Sequence, residues 1–144
     1  MGGAGKVATF VALLGARLSV TVLVDTDAKL NQELTSLITK GLLEGQRLIT
    51  VGQISGAKKA DIEDLFTVEE YLAMYNSAFG TTVTPADLEA DDSLPIVKRF
   101  GVEFDHGLPA EQMLRDPERF VDSLSIETLK RFEKLFSLVN RTTA

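Results

Sequence analysis

Cysteine is absent from the 144-residue chain, and histidine occurs once, at His106. The first absence excludes a disulfide framework and any thiolate metal site, and it fits a reducing, cytoplasmic setting. The second excludes a histidine-rich zinc centre. No apolar run approaches the roughly 20 residues needed to span a bilayer, so no membrane association is expected. The opening Met-Gly-Gly-Ala-Gly-Lys carries one lysine and then a mixed pattern, which is not that of a secretory leader. No Gly-x-Ser-x-Gly elbow is present to carry a serine nucleophile. Positive charge is also short: 15 Lys and Arg face 21 Asp and Glu, for a net charge of −6. That balance argues against holding nucleic acid by phosphate neutralisation alone, which needs clustered cations. If the chain handles nucleic acid, bound metal ions or another domain must supply the positive charge.

What is present is ordinary soluble usage, 44% hydrophobic and 25% charged, in a chain long enough to bury roughly two thirds of its unfolded surface. Val7, Phe10, Val11 and Leu14 recur at helical spacing, with Gly15 as a stop. Leu18 to Val24 is rich in β-branched residues and predicts a strand covered on both faces, as in a parallel sheet. Leu30, Leu34, Leu37, Ile38 and Leu42 trace an amphipathic helix ending near Gly41 or Gly45, and residues 47–51 read as a second strand. The order helix, strand, helix, strand predicts a doubly wound α/β sheet.

A polar loop with Gly52 and Gly56 then leads to Asp61-Ile62-Glu63-Asp64-Leu65-Phe66. Thr67 and Glu70 form a capping box for a helix through Tyr71, Met74, Tyr75 and Ala78. Thr84-Pro85 reads as another helix start, and Pro95, Pro109 and Pro117 punctuate short segments beyond it. A last helix, about 125–140, carries Leu129, Phe132, Phe136 and Val139 on one face. The second half is thus expected to be mainly helical.

Chemistry concentrates where the first strand runs into Asp25-Thr26-Asp27. Ligands of open parallel sheets bind beyond the carboxyl ends of the strands. An extended chain there aims Asp25 and Asp27 the same way, and paired oxygen ligands suit Mg²⁺ or Mn²⁺. Equally, one Asp can cap the next helix while the other is solvated, and the tripeptide does not choose. Asp61 and Glu63 repeat the Asp-x-Glu spacing after the second strand. They can converge on the same edge or simply favour a helix dipole; Ile62, Leu65 and Phe66 are expected to anchor the loop in the core. The opening Gly-rich segment lacks the strand, spacing and Ser/Thr of a phosphate loop, since Val7 follows Lys6. Lys58 and Lys59 read as a solvated pair, and His106 as a structural hydrogen-bonder.

Taken in order, GGAGKVATFVALLGARLSVTVLVDTDA, RLITVGQISGAKKADIEDLF and the later IVKRF, FDHGLPA and ETLKRFEKLFSLVN resemble the Toprim region and C-terminal tail of OLD-family (overcoming lysogenization defect) ATP-dependent endonucleases. The resemblance covers almost the whole chain. It implies a Toprim-like, Rossmann-like parallel sheet in residues 1–82, incomplete at its N-terminus, and a helical extension packed on it in 83–144. It implies a Mg²⁺- or Mn²⁺-dependent endonuclease acting on DNA, fused or bound to an ABC-type ATPase, with homodimerisation through the parent protein. The metal ligands would be Asp25, Asp27, Asp61 and Glu63, with Lys98 of IVKRF as the catalytic lysine. In one respect the chain departs from the pattern: the family places a glutamate on an earlier strand, whereas here the first acidic residue is Asp25. The expectation is therefore a front-truncated fragment, with activity of its own in question. Two other readings stand beside it. One is a haloacid-dehalogenase-like phosphatase with Asp25 as nucleophile, although Lys29 stands where that family has Thr or Val. The other is a non-catalytic module docking through the Leu129/Phe132/Phe136 face.

Overall fold

The computed structural model describes residues 3–15, 18–26 and 28–143. Helix α1 (Gly3–Leu14) leads to strand β1 (Val22–Val24), helix α2 (Ala28–Thr39) and strand β2 (Leu48–Thr50). The two strands pair in parallel, Val22 with Leu48, Leu23 with Ile49 and Val24 with Thr50. A helical crossover is what parallel neighbours require, and α2 supplies it. Its end is closed by Leu42 N donating to Leu37 O at 2.9 Å, with Gly41 at φ 70°. This is the left-handed turn that glycine takes without strain.

Among the described residues the fold is α/β, mostly helical, with this small parallel sheet at one end. Helices lie on both faces of the sheet. Val22 and Val24 pack with Val11, Leu34, Leu37 and Leu43. On the opposite face Ile49 packs with Val51, Ile54, Ala60, Leu65 and Leu135. Strand β1 is shorter than residues 18–24, and it is not covered on both sides: Leu23, beside Ile49, remains 39% exposed. The second layer closes over β2 and stops short of β1. Nor is Val51 the end of a strand. It begins a short helix, α3 (Val51–Ser55), in place of the expected loop; Thr50 N donates to the Gln53 side chain at 3.0 Å, and Gly56 ends the helix at φ 81°.

Beyond a 3-10 turn at Ile62–Leu65 come α4 (Val68–Phe79), α5 (Ile96–Arg99), α6 (Gly107–Arg115), α7 (Pro117–Asp122) and α8 (Ile126–Thr143). Thr67 and Glu70 cap α4 reciprocally, as their spacing predicts. Phe66, Tyr71, Leu72 and Met74 share a core with Leu88, Ile96, Val97 and Phe132, so α4 packs with helices from beyond residue 82.

The inward face of α8 differs from the expected one. Thr128, Leu135 and Thr142 are buried, with Phe132 and Val139 partly so, while Leu129 and Phe136 are 40% and 62% exposed. A buried hydroxyl sets that register: Thr128 Oγ1 donates to Glu70 at 2.6 Å. Helix α8 also turns back onto the sheet end, where the Thr142 and Thr21 hydroxyls lie 2.6 Å apart and Lys134 Nζ donates to Gln53 O at 2.6 Å. Among the described residues no helix is long and apolar enough to cross a membrane.

Candidate functional site

Asp25 directly follows β1, at its carboxyl end. One residue further, Thr26 forms an isolated antiparallel bridge with Ala60, its amide donating to Ala60 O at 2.7 Å. The Thr26 hydroxyl accepts from Gly52 N at 2.6 Å. A Cβ on Gly52 would fall 2.6 Å from Ala57 O and 2.7 Å from Thr26 Oγ1, so only glycine permits this approach. The end of β1 is thereby fastened to α3 and to the loop that carries the next acids.

That loop closes on Asp25 itself. Ile62 N donates to Asp25 Oδ1 at 3.0 Å, a bond across 37 residues of sequence, so Asp25 and the neighbouring Asp61 share one rim. The 3-10 turn beneath is held by Asp64, whose carboxylate accepts from Asp61 N at 2.7 Å and from Ile96 N at 2.8 Å. The second bond draws α5, and with it Lys98, to the same rim. From behind, the Arg131 guanidinium donates to the carbonyls of Asp64, Leu65 and Phe66 at 3.3–3.5 Å. Leu65 and Phe66 are buried as expected; Ile62 is not, at 39% exposed.

The electrostatics follow from this crowding. Burial pushes the Asp25 carboxyl up, opposed by the Ile62 hydrogen bond, while Glu63 and Asp64 push it further and Lys98 draws it down. Asp61 is raised to about 6, by burial first and then by the charges of Asp25, Asp64 and Glu63, against the pull of Lys98. Burial also raises Asp64, although the Ile96 and Asp61 amides offset part of it. Carboxylates crowded in this way, with Lys98 offsetting part of their charge, are the donor chemistry that hard divalent cations take.

Of the sequence-predicted residues, Asp25, Asp61 and Lys98 come together, and Asp27 lies outside the described residues. Glu63 stands on the same turn, but its Oε1 is taken by His106 Nδ1 at 3.0 Å. Among the described residues no three Asp, Glu, His or Cys side chains form a ready-made metal cage. A Mg²⁺ ion needs less, because it is usually held by one or two carboxylates with water and phosphate completing the shell, and Asp25 with Asp61 fits that donor set.

Sequence reasoning did not assign a role to Asp64 or Arg131. The i, i+3 spacing from Asp61 to Asp64 was the one available signal for the former, since a carboxylate three residues on can reach back to an amide. Lys58 and Lys59 are both exposed, as a solvated pair should be. Compared with family models, with curated proteins and with solved structures, the chain matches none.

Proposed function

We propose that this chain is a Toprim-type nuclease module that hydrolyses phosphodiester bonds in nucleic acid with the aid of Mg²⁺ or Mn²⁺. The observation that carries the reading is the 3.0 Å bond from Ile62 N to Asp25 Oδ1, which joins two separate acidic loops at the carboxyl end of a parallel strand. The acidic rim, in a chain of net charge −6, supports metal-assisted rather than purely cationic handling of phosphate.

In this reading Asp25 and Asp61 hold the ion, with Asp27 as the further ligand that the sequence resemblance implies. The bound cation supplies Lewis-acid polarisation of the phosphoryl oxygen. Asp64 keeps the turn in place so that the two carboxylates stay together. Lys98 faces the same rim and offsets negative charge on the departing oxygen. An ABC-type ATPase, as another domain or chain, would couple nucleotide hydrolysis to access of DNA, and the setting is cytoplasmic. Supercoiled plasmid incubated with the protein and Mg²⁺ or Mn²⁺ tests the proposal. We expect nicking that needs the metal and falls at least tenfold in Asp25→Ala. Equal nicking by both proteins, or none by the unaltered chain with either metal, refutes it.

A further inference from the structure

Between α8 and residues 45–53 lies a cavity of about 430 Å³. Leu48, Ile49 and Leu138 give it apolar walls, while Gln53, Lys134 and Arg141 bring polar groups to it. Among the described residues no carboxylate lines it, and none of its lining residues belongs to the acidic rim. Lys134, Leu138 and Arg141 stand at i, i+4 and i+7 on α8, so one stripe of the helix presents all three.

The polar groups here are donors in search of an acceptor. Lys134 Nζ donates to Gln53 O at 2.6 Å, which fixes the ammonium in place with two N–H bonds still to give. Arg141 is exposed, and among the described residues its guanidinium has no hydrogen-bond or ion-pair partner. Gln53 Oε1 accepts from Thr50 N at 3.0 Å, which leaves the N–H bonds of Nε2 as the free end of that side chain. Glu44, next in the chain to Gly45, is held by Gln46 Nε2 at 3.0 Å and Arg47 Nε at 3.2 Å. A last-turn cation suits the helix dipole. That accounts for Arg141, but not for Lys134 two turns earlier or for the cavity both residues border.

We infer that this cavity binds an organic phosphomonoester, its phosphate on Lys134 and Arg141 and a compact apolar body against Leu48, Ile49 and Leu138. Charge selects the head group. A phosphomonoester carries about two negative charges at neutral pH and matches the two cations, whereas a carboxylate brings one. The guanidinium fork can meet two phosphate oxygens at once. Volume selects the body, because the cavity is far larger than a bare phosphate and falls within the range of about 300–1,000 Å³ typical of small-molecule sites. The site is separate from the ion rim and does not depend on the nuclease reading.

Phenyl phosphate, titrated into the full chain without divalent metal and followed by ¹H–¹⁵N NMR, tests the inference. We expect saturable shifts centred on the amides of Gln53, Leu138 and Arg141. Inorganic phosphate, which lacks the body, and benzoate, which lacks the second charge, should each bind at least about tenfold more weakly. Arg141→Ala should weaken phenyl phosphate by about tenfold or more, and Arg141→Lys should restore only part of the loss. Amide spectra that superimpose away from the cavity check that both variants fold. Shifts confined to other surfaces, equal affinity in Arg141→Ala, or phenyl phosphate binding no tighter than inorganic phosphate or benzoate would overturn it.

Discussion

Asp61 shows how one crowded carboxylate can lower stability. Its pKa is raised from 3.8 to about 6 by burial and by the charges of Asp25, Asp64 and Glu63. A raised acid binds more protons folded than unfolded, so stability falls as pH rises from about 4 to about 6 and stays reduced above that. Asp61→Asn keeps a good N-cap residue and removes the charge. Two pKa units correspond to about 3 kcal/mol, but half-exposed groups are screened; the variant should be more stable than the parent at pH 7 by about 1 kcal/mol. Urea unfolding across pH checks this, and the gain should vanish below about pH 4. The position of Asp25 was legible because a β-branched run stops there. The Glu63–His106 pairing was not, because the partners lie 43 residues apart and neither carries a local signal.

At the level of elements, Glu70 ties the first half of the chain to the last helix. Its carboxylate accepts from Thr67 N at 2.8 Å, Ser125 N at 2.6 Å and Thr128 Oγ1 at 2.6 Å, joining α4 to the start of α8. Burial alone would raise its pKa, but these hydrogen bonds together lower it from 4.5 to about 2. A depressed acid contributes stability above its unfolded pKa and loses it as pH falls toward the folded one. Glu70→Ala should therefore cost about 2 kcal/mol at pH 7, allowing for partial solvation. Thermal melts should show the deficit narrowing between about pH 4.5 and pH 2. The capping role of Glu70 was readable from its spacing to Thr67, but the reach to Ser125 and Thr128 was not. The same hidden contact misled the reading of α8: counting apolar residues centres its face near Leu129 and Phe136, whereas a buried threonine turns both outward. Helix α3 escaped for a different reason, since Val51 and Gly52 are poor helix formers and the Gln53 cap with tertiary packing overrides them.

Across the whole molecule, the alternation of helix and strand in the first fifty residues was enough to predict a parallel α/β arrangement with a helical second half. The extent of the sheet was not, because apolar periodicity cannot tell a strand from an extended approach to one. What the fold accomplishes is convergence: a strand end, a 3-10 turn held by Asp64 and a short helix bearing Lys98 meet at one rim. The most direct test of that convergence is calorimetric titration of Mn²⁺ into the chain and into Asp25→Asn and Asp61→Asn. If carboxylates from the two loops grip one ion, each substitution alone should weaken binding about tenfold or more, as loss of a charged ligand does. Unchanged affinity in either variant, or no binding by the unaltered protein, would contradict the account.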